Sequence, residues 1–209
     1  MRWDLSFKRR ALGDPVSEGR RVWEWIQRVR PLHPSLDLWR PTAGSREEAE
    51  QSPPITQDYL LQEIHQTQVD WGRERFGLSP AFCGQIGQGN RLSLSFNKPT
   101  LGSAGIILMI GEALGAALDA SEDLADALMC TTASVFAPNT VGALTRKERP
   151  RSPTPPPFRY LPGWKMFFAS DSPHYQRASQ LATAVAPVGN GAIFTFGTPD
   201  TYPAVLDQW

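Results

Sequence analysis

The sequence predicts an α+β fold, a single domain over residues 1–209 in which a mainly antiparallel sheet packs with several helices. Three observations lead there. Arg91-Leu-Ser-Leu-Ser-Phe-Asn97 alternates apolar and polar residues strictly, which is the period of a half-buried strand. Val22, Ile26 and Val29 recur at spacings of four and three, which is the period of one helix face. The order along the chain is helices, strand pair, helix, strand, helix, strand, with no internal repeat.

Pro15 suits the first turn of a helix running to Arg30, and Pro31 and Pro34 stop it. Trp23 and Trp25 lie about 200° apart on that helix, so one of them must pack against another element. Leu36, Leu38 and Trp39 form a short apolar landing, and residues 41–54 read as a polar loop with an acidic cluster, Glu47, Glu48 and Glu50. Thr56 is placed to cap a second helix with Leu60, Leu61, Ile64 and Val69 facing inward. After the alternating strand, Ile106–Ile110 is expected to return antiparallel to it. A helix then starts near Ser121, with Leu124, Leu128 and Val135 inside, and Pro138 ends it. Residues 161–169 read as a strand, 175–185 as a short helix with Leu181 and Val185 inside, and 192–196 as a last strand. Between them, residues 149–157 hold five prolines, so an extended insertion loop is expected at about 146–159.

The 21 basic and 21 acidic side chains cancel, and 41% of residues are hydrophobic, enough for a real core. Zero net charge argues against direct nucleic-acid binding. The neutrality is nevertheless a cancellation of blocks. Residues 101–144 contain Glu112, Asp119, Glu122, Asp123 and Asp126 and no Lys or Arg, whereas residues 145–165 carry six basic side chains against Glu148. No apolar run of roughly 7–15 residues follows the charged N-terminus, and none of about 20 exists to cross a membrane. A cytoplasmic protein with reduced thiols at Cys83 and Cys130 is therefore expected.

No motif points to chemistry. His33, His65 and His174 stand alone, without a partner at metal-ligand spacing, so no metal or cofactor is expected. Gly84-Gln-Ile-Gly87-Gln-Gly89 precedes a strand instead of opening a helix, which marks a turn and not a phosphate loop. Cys83 has no neighbouring base, and no serine sits in a nucleophile elbow. Catalysis is not expected. Seven tryptophans are many for this length; core packing accounts for most of them, and their number is compatible with a binding protein.

The motif order resembles that of the immunity protein 52 family of bacterial polymorphic toxin systems. The matching pieces are Leu32-His-Pro-Ser-Leu-Asp-Leu-Trp39, Gly77-Leu-Ser-Pro-Ala-Phe, Ala133-Ser-Val-Phe-Ala-Pro138, Gly163-Trp164-Lys-Met-Phe-Phe and Gly191-Ala-Ile-Phe-Thr-Phe-Gly. The sequence departs from the pattern at the proline-rich insertion and at Phe136-Ala137, where a Trp is expected. The resemblance implies a non-catalytic cytoplasmic antidote, associated with contact-dependent or type VI secretion. Its partner would be a cognate protein toxin, often a restriction-endonuclease-like nuclease. A nuclease holds its substrate in a basic cleft, so Glu112, Asp119, Glu122, Asp123 and Asp126, with Glu47, Glu48 and Glu50, are the expected toxin-binding residues. The competing explanation pairs these acids with the 145–165 basic block inside the molecule. Two other classes remain open: an adaptor that uses its proline-rich segment, and a hydrolase with a dispersed active site.

Overall fold

Trp3, Leu5 and Phe7 alternate with Asp4 and Ser6, and this period of two makes the first segment a strand, β1 (Trp3–Arg9), buried on its apolar side. The computed structural model describes residues 3–9, 15–70, 81–84, 89–96, 104–136, 140–146 and 163–209. β1 lies in the middle of a nine-stranded sheet, paired on one side with β5 (Ala104–Ile110) and on the other with β6 (Thr140–Arg146). Outward from β5 run β4 (Arg91–Phe96), β3 (Ala81–Cys83) and β2 (Arg40–Pro41). Outward from β6 run β7 (Lys165–Ala169), β9 (Gly191–Thr195) and β8 (Ala184–Val188). Every neighbouring pair is antiparallel. Both edge strands end or are interrupted by a proline, Pro41 and Pro187, which withholds a backbone donor from any further strand.

The register sets two faces. Trp3, Leu5, Phe7, Leu108, Leu144, Lys165 and Phe167 share one of them. Over it pack α1 (Pro15–Val29), α4 (Glu112–Ala120) and α5 (Glu122–Phe136), with α3 (Gln57–Asp70) against α1. Trp25 is the buried tryptophan of α1, and its Nε1 donates to Thr132 Oγ1 of α5 at 2.9 Å, while Trp39 and Phe136 flank its ring. Trp23 stays half-buried. On the other face Met166, Phe168 and Phe194 are covered at the β7–β9 end by α6 (Tyr175–Leu181) and the segment after α7 (Tyr202–Leu206). Phe7 lies over Gly142, where any Cβ would collide with its ring, so this position of β6 must be glycine.

Most expected elements are present. β4 and β5 pair antiparallel as anticipated, Thr56 Oγ1 accepts from Tyr59 N at 3.1 Å, and Ser121 Oγ accepts from Leu124 N at 3.2 Å. The structure corrects four points. The helix expected over 175–185 stops at Leu181; Val185 lies instead in edge strand β8 and is 46% exposed. Pairing with β9 explains this, because Thr183 N already donates to Thr195 O at 2.8 Å and Val185 lies opposite Phe194. The polar stretch 41–54 contains α2 (Arg46–Gln51), capped by Ser45 Oγ accepting from Glu48 N at 3.1 Å. The apolar run 104–118 conceals a change from strand to helix at Gly111, so α4 is additional to the helix from Ser121. β1 and β6 were not anticipated. The proline-rich residues 149–157, Trp71 and the centre of the Gly84–Gly89 turn lie outside the described residues, as does the side chain of Val69.

Candidate functional site

The sequence places its acids where α4 gives way to α5, and the sheet brings the basic block beneath them. Lys165 opens β7 opposite Leu144 and Thr195, on the face that α5 covers, and has no exposed surface. Its Nζ donates to Glu122 Oε1 at 2.9 Å and Thr195 Oγ1 at 2.9 Å, and lies 2.7 Å from Asp126 Oδ1. Two hydrogen bonds and a further carboxylate thus surround the ammonium group. The Trp164 ring adds a cation–π contact at 4.7 Å, and its own Nε1 is held by Gly197 O at 2.9 Å. Glu122 and Asp126 nevertheless keep 57% and 40% of their side-chain surface exposed.

Arg146, at the end of β6, forms the second anchor. Its guanidinium pairs with Asp119 Oδ1 at 2.5 Å and Asp200 Oδ1 at 2.6 Å, and lies over the Trp3 ring at 5.4 Å. Trp3 Nε1 donates to the same Asp119 oxygen at 3.3 Å. Burial pulls the Arg146 pKa down, but the bonds to Asp200 and Asp119 outweigh it and leave the group above its ordinary value. Cys130 on α5 is pushed the same way. Burial raises its thiol pKa first, the Asp126 charge adds to that, and Lys165 opposes both.

The eight acids therefore divide. Asp119, Glu122 and Asp126 are tied to the basic block within the molecule. Glu48 Oε2 accepts from Gly44 N at 3.0 Å, and Glu50 is exposed on the same helix. Glu47, Glu112 and Asp123 are exposed and make no side-chain hydrogen bond or ion pair among the described residues. The two acidic groups are not brought together either. α2 follows edge strand β2, six positions across the sheet from β7, a separation of about 29 Å at normal strand spacing. Sequence reasoning assigned no role to Arg146 or Lys165 individually. Their signal was the basic block itself, which balances the acidic one.

The histidines have local partners. His33 Nδ1 accepts from Ser35 N at 3.2 Å and lies 2.7 Å from Ser35 Oγ, capping the 3-10 turn Pro34–Leu36. His65 is exposed on α3, and His174 packs its ring against Phe168 and Trp209. Cys83 and Cys130 are both free thiols. Among the described residues no group of three His, Cys, Asp or Glu side chains is placed to hold a metal ion, and no helix is long and apolar enough to cross a membrane.

No protein-family model matches the chain. No curated protein matches it either. Among solved structures, a Pseudomonas aeruginosa T6SS protein is similar at 13% identity and a TM-score of 0.49, over 99% of this chain and 74% of that one. Likeness at that level does not bear on what this chain does.

Proposed function

We propose that this chain is a non-catalytic antidote that binds and neutralises a cognate protein toxin of the nuclease type, protecting the producing cell and its kin. The observation that carries the reading is the α4–α5 corner. Glu112 and Asp123 stand exposed there in the first turns of α4 and α5 and make no ion pair among the described residues, beside Glu122 and Asp126, which Lys165 holds in place. Fixed carboxylates lose little entropy on binding and suit a cleft built for a polyanion. The Gly163-Trp164-Lys165 motif, one of the pieces that carries the family resemblance, supplies the lysine that holds them.

The internal ion pairs decide which variants test this. Glu122→Lys with Asp126→Lys would place two cations beside a buried ammonium, lowering melting temperature whether or not a toxin binds there. Glu112→Lys with Asp123→Lys leaves every observed ion pair intact. Against a nuclease-type toxin encoded beside this chain, that second pair is expected to slow association about tenfold at low salt, with the native circular dichroism retained. Co-expression should rescue cells from the toxin with the native chain and less well with the double variant. Full rescue together with unchanged association would remove the acidic corner from the interface, and absence of any rescue by the native chain would remove the antidote reading.

A further inference from the structure

We propose that the helical face of this chain is self-complementary and that two copies associate through it about a two-fold axis. α1, α4 and α5 cover the same side of the sheet. Trp25 of α1 is bonded to Thr132 of α5, and Asp119 of α4 is bonded to Trp3, whose side chain lies on that face. The outer surface of this layer carries opposite charge at two places. On α1, Arg28 is neutralised by Glu24 at 2.6 Å, but the exposed Arg20 and half-buried Arg21 have no ion pair among the described residues. At the α4–α5 corner, Arg146 and Lys165 each meet two carboxylates, and Glu112 and Asp123 meet no cation. Among the described residues, two cations against six carboxylates leave an excess of four negative charges there.

A basic spot and an acidic spot on one face are exchanged by a two-fold axis passing between them. The pairing of α1 in one copy with the α4–α5 corner of the other is then made twice, as an isologous contact requires. Between the acids, the outward residues of α4 and α5 are small (Ala113, Ala116, Ala120 and Ser134 are exposed). Val16, 47% exposed one turn before Arg20, supplies apolar surface beside the basic spot. The contact is electrostatic at its rim and therefore sensitive to salt.

This inference does not rest on the antidote reading, competes with it for Glu112 and Asp123, and is tested without any toxin. Sedimentation velocity on the full chain is expected to give a dimer at about 0.05 M salt and a monomer at about 0.5 M, where screening shortens to a few ångströms. Arg20→Glu with Arg21→Glu, and separately Glu112→Lys with Asp123→Lys, should each weaken the dimer at least about tenfold. All four substitutions in one chain restore complementarity with the charges exchanged, and should restore the dimer. An equimolar mixture of the two double variants should form a heterodimer, which covers the case in which the fourfold variant fails to fold. A monomer at both salts, a dimer indifferent to both reversals, or double variants that stay monomeric when mixed while retaining native circular dichroism would each overturn it.

Discussion

A lysine with no exposed surface persists only where its charge is compensated by polar partners, because an uncompensated buried charge costs several kcal/mol. Lys165 meets that condition through Glu122, Asp126 and Thr195, with the Trp164 ring against it. Its carboxylate partners remain partly in water, which puts the worth of the pair at the low end for buried ion pairs. Lys165→Ala is expected to cost about 2 kcal/mol in urea unfolding, and Lys165→Met, which refills the volume without the charge, clearly less. Equal losses would assign the whole effect to the ion pairs and none to packing. His174 supplies a second test at this scale. Burial against Phe168 and Trp209 holds its pKa below the ordinary value of about 6.5. The unfolded chain therefore takes up the proton first, so stability rises with pH through this range. The contribution is complete above about pH 6.5 and is lost as pH falls below it. His174→Phe should flatten that part of the stability profile measured between about pH 5 and 7, while an unchanged slope would place the acid sensitivity elsewhere.

Elements were legible where one period ran uninterrupted between clear stops. Helix α1 shows this, with Val22, Ile26 and Val29 on its buried side and Pro31 just beyond its end. β5 and α4 were only half legible, because the run from Ile106 to Leu118 is apolar but for Glu112, and only Gly111 and Glu112 mark the change from strand to helix. α6 was overextended, since Leu181 and Val185 fit a helical spacing while the chain from Thr183 onward pairs with the distant strand β9 instead. β1 was legible in principle, as Trp3, Leu5 and Phe7 alternate, but its significance depends on β5 and β6, about a hundred and more residues away. The candidate site divides in the same way. Acidic and basic blocks are visible in sequence, whereas the pairing of Lys165 with Glu122 and Asp126 depends on register: Lys165 shares the face of Leu144 and Thr195, directly under α5. Sequence alone left open whether these acids serve the fold or a partner. The structure gives three of them to the fold and leaves Glu112, Asp123 and Glu47 at the surface.

For the molecule as a whole, β1 holds the position on which the most depends. It separates the strand set β2–β5 from the set β6–β9, and no strand of one set pairs directly with a strand of the other. It is paired over seven residues on each side, from Trp3 to Arg9. Its buried side chains reach across the sheet as well: Trp3 packs on Trp164 at 5.7 Å, and Phe7 stacks on Phe167 at 6.1 Å. A chain without β1 would expose two inner strand edges and leave the apolar face beneath α5 without its central strip. Local helix formation needs none of this, while the tertiary environment of the tryptophans needs all of it. Deletion of residues 1–9 is therefore expected to keep much of the far-ultraviolet circular dichroism of the helices and to abolish the near-ultraviolet signal and the cooperative unfolding transition. Adding a synthetic peptide of the same nine residues should restore both, because the gap between β5 and β6 accepts only a strand with apolar residues at the positions of Trp3, Leu5 and Phe7. A peptide with those three residues changed to serine should not. If the shortened chain alone unfolds cooperatively with a native near-ultraviolet spectrum, then the two strand sets are held by the helical layer, and β1 fills the sheet without joining it.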